Sequence, residues 1–164
     1  MTLLEIILVA AGLAMDASAV SLAAAAAGFA GNGRAVFRLV FHFALFQAVM
    51  PVLGWLAGQG LVFLVQGYGA VVAAGLLILV GARMIKESLA PSETLHKRDP
   101  SRGMTMVFLS LATSIDALAV GLSFAALDLP IGYPALLIGL VTALMAGAAI
   151  PVGRRLGSFF GRRM

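Results

Sequence analysis

The sequence predicts an all-α membrane protein, a polytopic bundle of five transmembrane helices that contains an incomplete inverted three-helix repeat. Hydrophobic residues make up 62% of the chain and charged residues only 11%, whereas soluble domains average about 45–50% and about 25%. The apolar segments are continuous rather than alternating, which favours helices over strands. Basic residues follow alternate segments, as a membrane topology requires.

Five apolar runs are long enough to cross about 30 Å of hydrocarbon at about 1.5 Å per residue. They cover residues 3–28, 36–58, 64–86, 104–127 and 131–152. The first run lacks a basic start and carries Glu5, so it is interpreted as a retained helix rather than a signal peptide. A polar segment with two prolines follows the third run and is the predicted linker.

The charges predict an orientation. Lysine and arginine follow the first, third and fifth runs, while the segment after the second run has no charge and the segment after the fourth has only Asp128. Because basic flanks stay in the cytoplasm, five crossings place the N-terminus in the periplasm and the C-terminus in the cytoplasm. This alternation, rather than nucleic-acid binding, accounts for the net charge of +4.

The chain repeats itself at one constant offset. The segment "AMDASAVSLAAAAAG" at 14–28 aligns without gaps on "SIDALAVGLSFAALD" at 114–128, and the same offset pairs Pro51 with Pro151. The copies are three predicted helices apart, an odd number, so they cross the membrane in opposite senses. Inverted repeats are typical of transporters, whose substrate site lies near the midplane at the repeat interface.

The third run has no counterpart before Met164, so the second repeat is expected to lack its third helix. The predicted organisation is a first three-helix repeat at 1–90, a cytoplasmic linker at 91–103 and a second repeat of two helices at 104–164.

Asp16 and Asp116 each lie near the middle of a predicted span. A charge at the bilayer centre costs at least about 2.5–3.5 kcal/mol, so each acid requires either a function or a hydrogen-bonded partner on a neighbouring helix. The repeat favours function, because its axis brings both acids to one site. Two facing carboxylates suit a hard divalent cation such as Mn²⁺, Mg²⁺ or Ca²⁺. Without metal they are expected to share a proton, which gives a physical basis for proton-coupled export.

Three further polar residues are candidates for the metal site. Gln47 lies near the middle of the second run, and Pro51, which has no N–H, frees its backbone carbonyl. Gln47 is expected to bind the metal or support a ligand, with an interhelical hydrogen bond as the alternative. Thr113 and Ser114 are candidate hydroxyl ligands that can equally bond back to their own helix.

Small residues surround the acids at helical spacing and predict a tightly packed, dehydrated site. They are Gly12, Ala19, Ala23, Ala112 and Ala119.

Several classes of protein are excluded. The chain has no cysteine, so it holds no disulfide and no thiolate metal site. It shows no nucleotide-binding loop, which argues against ATP-driven pumping by this chain alone. No membrane-embedded nucleophile with a base is evident, so an enzyme is not expected, and neither is a resident cofactor.

Four segments, "GLAMDASAVSL", "FQAVMPVLGWLAG", "GARMIKE" and "ATSIDALAVGLSFA", resemble in order those of the MntP family of manganese efflux pumps. The resemblance covers nearly the whole chain. It implies a small protein of the bacterial inner membrane that exports Mn²⁺ as its substrate, with Asp16 and Asp116 as the central metal residues. The alternatives are an exporter of another divalent cation or small solute, and a nontransporting membrane subunit.

The family has six helices, so the resemblance also implies that one helix is unmatched here. A groove beside the fourth and fifth runs is expected to result, lined by Gly121, Gly139, Ala143 and Gly147. Small residues favour a partner helix over lipid. We therefore expect a homodimer, or the binding of another helix, through these two runs.

Overall fold

The computed structural model describes residues 2–65 and 103–161, with side chains for 2–60 and 103–159. These parts form helices joined by short turns. The helices are α1 (Leu3–Ala26), α2 (Gly33–Val65), α3 (Gly103–Thr113), α4 (Ile115–Ala126) and α5 (Gly132–Gly161). The predicted all-α membrane fold is confirmed.

Four of the five predicted runs fall on described helices. Three spans are long and apolar enough to cross a membrane, and α3 with α4 passes the same test as one broken span bent by 41°. The third run, 64–86, lies almost entirely outside the described residues. α2 and α5 are longer than predicted, because a helix continues its hydrogen bonding beyond the apolar stretch that the sequence marks.

Local sequence explains how the first two helices begin. Thr2 and Glu5 form a capping box, in which the Glu5 N–H donates to Thr2 Oγ1 and the Thr2 N–H donates to Glu5 Oε2 at 3.0 Å. Asn32 accepts from the Ala35 N–H at 2.8 Å at the start of α2. Glu5 is therefore a cap at a helix end rather than a charge in the membrane interior.

Two contacts fix the directions of the helices. The Arg154 guanidinium, late in α5, donates from Nε to the carbonyl of Ala30 in the α1–α2 turn at 3.0 Å. The Trp55 indole of α2 donates to the Leu129 carbonyl in the α4–α5 turn at 2.9 Å. Ile6, near the start of α1, lines one cavity with Leu129. α1 and α4 consequently run in opposite directions, and Arg34 and Arg154 lie at the same end of the bundle, here called the arginine end.

Glycines allow the helices of the two halves to approach closely. A Cβ at Gly153 would meet Ala25 Cβ at 2.9 Å, and a Cβ at Gly58 would meet Ala125 Cβ at 2.5 Å. Ala25 and Ala125 are paired by the sequence repeat. The second helix of each half therefore packs against the Asp-bearing helix of the other half.

The expected vacant groove is wrong for two of its lining residues. A Cβ at Gly121 would meet the Pro51 carbonyl oxygen at 2.0 Å, and a Cβ at Gly139 would meet Ala48 Cβ at 2.8 Å. Both glycines are buried against α2, which covers the faces that were expected to be open. Of the three glycines expected to line the groove, Gly147 alone has no described atom within 4 Å of its Cβ position.

The core contains a buried polar side chain between two apolar clusters. One cluster includes Phe43 and Ile150, and the other includes Met50 and Ile138. Gln47 lies between Phe43 and Met50 on α2 and is fully buried. This arrangement places a hydrogen-bonding side chain at the depth where the sequence puts both aspartates.

Candidate metal site

Gln47 connects the two Asp-bearing segments. Its Nε2 donates to the Leu13 carbonyl of α1 at 2.7 Å and to the Thr113 carbonyl at the end of α3 at 3.4 Å. Leu13 and Thr113 are paired by the sequence repeat, and each lies three residues before its aspartate. A single side chain thus joins equivalent points of the two halves, and the interhelical hydrogen bond that was the alternative to metal binding is present.

The other end of the Gln47 amide is unsatisfied. Oε1 is buried and has no hydrogen-bond partner within the described ranges. An amide oxygen only accepts hydrogen bonds, so it requires a donor or a cation. A buried acceptor left without either costs about 1–3 kcal/mol, which makes this oxygen a place where a ligand would stabilise the protein.

The two aspartates lie beside this connection. Each aspartate lies three residues beyond one of the two carbonyls that the Gln47 amide binds. Asp16 is exposed and Asp116 is half-buried. The Ala117 N–H donates to Asp116 Oδ1 at 2.8 Å, so this carboxylate is oriented by the first turn of its own helix, where the helix dipole favours an anion.

The expected dehydrated site around the acids stays a prediction, and in the described part of the chain its small residues lie on an exposed face. Gly12 and Ala19 share the face of α1 that carries Asp16, and all three are exposed. The buried face of α1 instead carries Ala14 and Ala17. The small residues beside the acids therefore form an accessible face, and tight packing occurs on the opposite side of the helix. Ala23, Ala112 and Ala119 are likewise exposed.

Thr113 and Ser114 bond back to their own helix. Thr113 Oγ1 donates to the Leu109 carbonyl at 3.0 Å, and Ser114 Oγ donates to the Ser110 carbonyl at 2.8 Å. Such bonds weaken and bend helices, and the predicted single span is broken at Ser114. The first repeat has Leu13 and Ala14 at these positions, and α1 continues unbroken.

Sequence reasoning placed Gln47 and both aspartates at one depth but missed this break. The signal was the hydroxyl pair, which the sequence analysis considered only as ligands or as local hydrogen-bond donors. Whether Asp16, Asp116, Gln47, Thr113 and Ser114 bind metal stays a prediction.

The side chains near Gln47 limit which metal ions could bind there. In residues 2–60 and 103–159, no group of three or more histidine, cysteine, aspartate or glutamate side chains is placed to hold a metal. A cation at this position would therefore depend on two carboxylates together with neutral oxygens. Such an all-oxygen set suits a hard divalent cation.

Comparison with known proteins identifies the family to which the chain is similar. The family model described as "Putative manganese efflux pump" matches residues 30–164. A Geobacter sp. (strain M21) protein named "Putative manganese efflux pump MntP" is 48% identical, over 98% of this chain and 86% of its own length. A protein of the same name from Syntrophotalea carbinolica is 47% identical, over 94% and 83% respectively. One from Maridesulfovibrio salexigens is 42% identical, over 92% and 82%. No solved structure matches the chain.

Proposed function

The chain belongs to the MntP family of manganese efflux pumps, and on that premise we propose that it exports Mn²⁺ through a site between its two Asp-bearing segments. Such a pump is a transporter rather than an enzyme, and Mn²⁺ is its cargo rather than a resident cofactor. The Gln47 amide carries this proposal, because its N–H groups join equivalent carbonyls of both halves while its oxygen stays without a partner within the described residues.

Asp16 and Asp116 supply the charge that neutralises the cation in this proposal. Two carboxylates balance the double charge of Mn²⁺, and the Gln47 oxygen adds a neutral ligand of matching hardness. A site with so few protein ligands leaves coordination positions for water. Binding is then strong enough to select the ion and weak enough to release it, as transport requires.

Thr113 and Ser114 contribute to the proposed metal site mainly by bending the span at Ser114. Their hydroxyl hydrogens point back to Leu109 and Ser110, which leaves oxygen lone pairs as additional neutral ligands. By breaking the span at Ser114 they place Asp116 in the first turn of α4. Broken helices of this kind build the ion sites of many secondary transporters.

Protons are the proposed counter-ion. Two carboxylates that share the proposed site repel each other when both are charged and the site is empty, and one shared proton relieves that repulsion. Mn²⁺ displaces the proton when it binds. An inward proton gradient can then reload the empty carrier and drive the next cycle of export.

We further propose a bacterial inner-membrane location with a periplasmic N-terminus and a cytoplasmic C-terminus. The arginine end, which brings Arg34 and Arg154 together, is then the cytoplasmic end by the distribution of basic residues. The repeats are assigned to 1–90 and 104–164 around the linker at 91–103, and the outward apolar side chains face lipid.

Pairing of two copies through the fourth and fifth predicted spans is also proposed, restricted to the part of that face which α2 does not cover. Ala143 is half-buried and Gly147 has space around it. Cross-linking of an Ala143→Cys variant in native membranes tests this, because the chain has no cysteine of its own. A variant that stays monomeric would rule this face out.

Transport is tested directly in inverted membrane vesicles that contain the chain and are energised with a proton gradient. We expect Mn²⁺ to accumulate in these vesicles and to stop accumulating when an uncoupler collapses the gradient. Mg²⁺ and Ca²⁺ in excess serve as competitors. Vesicles that accumulate another divalent cation or a small solute but not Mn²⁺ would support the alternative substrate, and vesicles that accumulate nothing would support a nontransporting subunit.

A further inference from the structure

Two buried serines differ from the other helical hydroxyls of the described chain. The hydroxyls of five residues donate to a carbonyl four residues earlier: Ser18, Thr113, Ser114, Ser123 and Thr142. Ser21 and Ser110 are fully buried, yet the Oγ atom of each has no partner in the same part of the structure. Their hydroxyls are therefore available to a partner that the described residues do not supply.

The two serines lie on the same side of the aspartates. Ser21 is five residues beyond Asp16 on α1, about 7.5 Å along the helix axis, and Ser110 is six residues before Asp116, across the break at Ser114. Because α1 and α4 run in opposite directions, both displacements point toward the arginine end. Leu109, next to Ser110, packs against the cluster that contains Ala17 and Ala24, and these residues flank Ser21 on the buried face of α1.

The unpartnered oxygens share one chemical character. Gln47 Oε1 only accepts hydrogen bonds, and the two serine oxygens accept as well as donate. The remaining buried atom without a partner in the described chain, Arg38 Nε, is a donor and lies farther toward the arginine end. Water bound to a divalent cation is a strong donor, so a group of three acceptors matches the hydration shell of such an ion.

We propose that Ser21 and Ser110 form a hydration site on the path between the arginine end and the Asp16–Asp116 pair. This site takes up a partly hydrated divalent cation by accepting hydrogen bonds from its waters, with Gln47 Oε1 at the inner end. The ion then exchanges those waters for carboxylate oxygens. The inference rests on the proposed function and adds the access route and the form in which the ion travels.

Cysteine accessibility tests the route, since the chain contains no native cysteine. Ser21→Cys and Ser110→Cys variants are treated in inverted vesicles with a small hydrophilic thiosulfonate reagent, with and without Mn²⁺. We expect both to react and Mn²⁺ to slow both reactions several-fold. An Ala10→Cys variant, at a fully buried position of α1 on the far side of Asp16 from the arginine end, is the matched control and should stay unreactive.

A second measurement covers the case in which the cysteine variants perturb the fold. The Ser21→Ala, Ser110→Ala double variant should raise the Mn²⁺ concentration for half-maximal transport several-fold, whereas Ser123→Ala should leave it unchanged. If the serine variants transport normally, or if Mn²⁺ leaves the cysteine reactions unchanged while wild-type vesicles still accumulate Mn²⁺, the hydration site is wrong and the export function stands. If wild-type vesicles fail to accumulate Mn²⁺, the proposed function itself fails.

Discussion

Gln47 on α2 donates to the backbone carbonyl of Leu13 on α1 at 2.7 Å. The same amide reaches the Thr113 carbonyl in the other half of the bundle, and its oxygen stays without a partner in the described chain. The nitrogen therefore has a structural role, since it joins the two Asp-bearing segments. The oxygen is left for a ligand, and these two roles can be separated experimentally.

Replacement of Gln47 by leucine is expected to impair transport more than folding. The substitution removes two hydrogen bonds worth about 0.5–1.5 kcal/mol each. It also removes a buried acceptor whose lack of a partner in the described chain costs about 1–3 kcal/mol, so the two effects offset and the free energy of unfolding should change little. Transport of Mn²⁺ should fall about tenfold or more, equivalent to about 1.4 kcal/mol in the barrier. Thermal unfolding in detergent and vesicle transport measure the two effects. Gln59→Leu, at an exposed position of the same helix, is the control and should change neither.

Close helix contacts at glycine predict a contrast within the second half of the chain. Gly121→Ala places a methyl group on the Pro51 carbonyl oxygen, and such overpacking costs about 1–3 kcal/mol. Gly147→Ala meets no described atom within 4 Å, and it should stabilise its helix by roughly 0.5–1 kcal/mol. Unfolding temperatures of the two variants in the same detergent should move in opposite directions. A Gly121→Ala protein as stable as the wild type would show that α2 and α4 do not pack as described.

Arg154 anchors the turn between α1 and α2. Arg154→Ala removes its hydrogen bond to the Ala30 carbonyl, and we expect a loss of about 1.5–3 kcal/mol at most, the range for bonds to a charged group. Both Arg154 and Arg155 are exposed, so Arg155→Ala, which removes the same charge without that hydrogen bond, should cost much less. Equal unfolding temperatures for the two variants would argue that the Arg154 contact contributes nothing.

Topology is testable with reporter fusions. A fluorescent protein fused after Met164 should be fluorescent and alkaline phosphatase fused there should be inactive, because the proposed topology puts the arginine end in the cytoplasm. The same reporters placed after Asp128, in the α4–α5 turn at the opposite end, should give the reverse pattern. Active phosphatase at Met164 would overturn the orientation.

The sequence predicted the features that depend on composition and on symmetry. Continuous apolar runs identified the spans, and one offset paired Asp16 with Asp116. The position of Gln47 near the middle of the second run placed it at the same depth. The break at Ser114 was missed because the run from 104 to 127 is apolar throughout, and hydropathy does not register how hydroxyl side chains compete for backbone carbonyls.

The sequence also did not predict which face of each helix is buried. Both faces of α1 are rich in alanine, so composition did not show that Ala14 and Ala17 turn inward while Ala19 turns outward with Asp16. Which face is buried depends on the neighbouring helices. The sequence identified Gly121 and Gly139 as small contact residues but assigned them to a vacant groove, because it did not show that α2 lies against both.

Manganese content of cells tests the central account most directly. A manganese-sensitive strain without its own exporter would express the wild-type chain, Asp16→Asn or Asp116→Asn, with Asp128→Asn in the α4–α5 turn as the matched control. We expect the wild type and the control to lower cellular manganese and to restore growth in excess Mn²⁺, while each of the other two variants, present in the membrane at the same level, does neither. If both of those variants lowered cellular manganese as well as the wild type does, the proposal that Asp16 and Asp116 bind the transported ion would be contradicted.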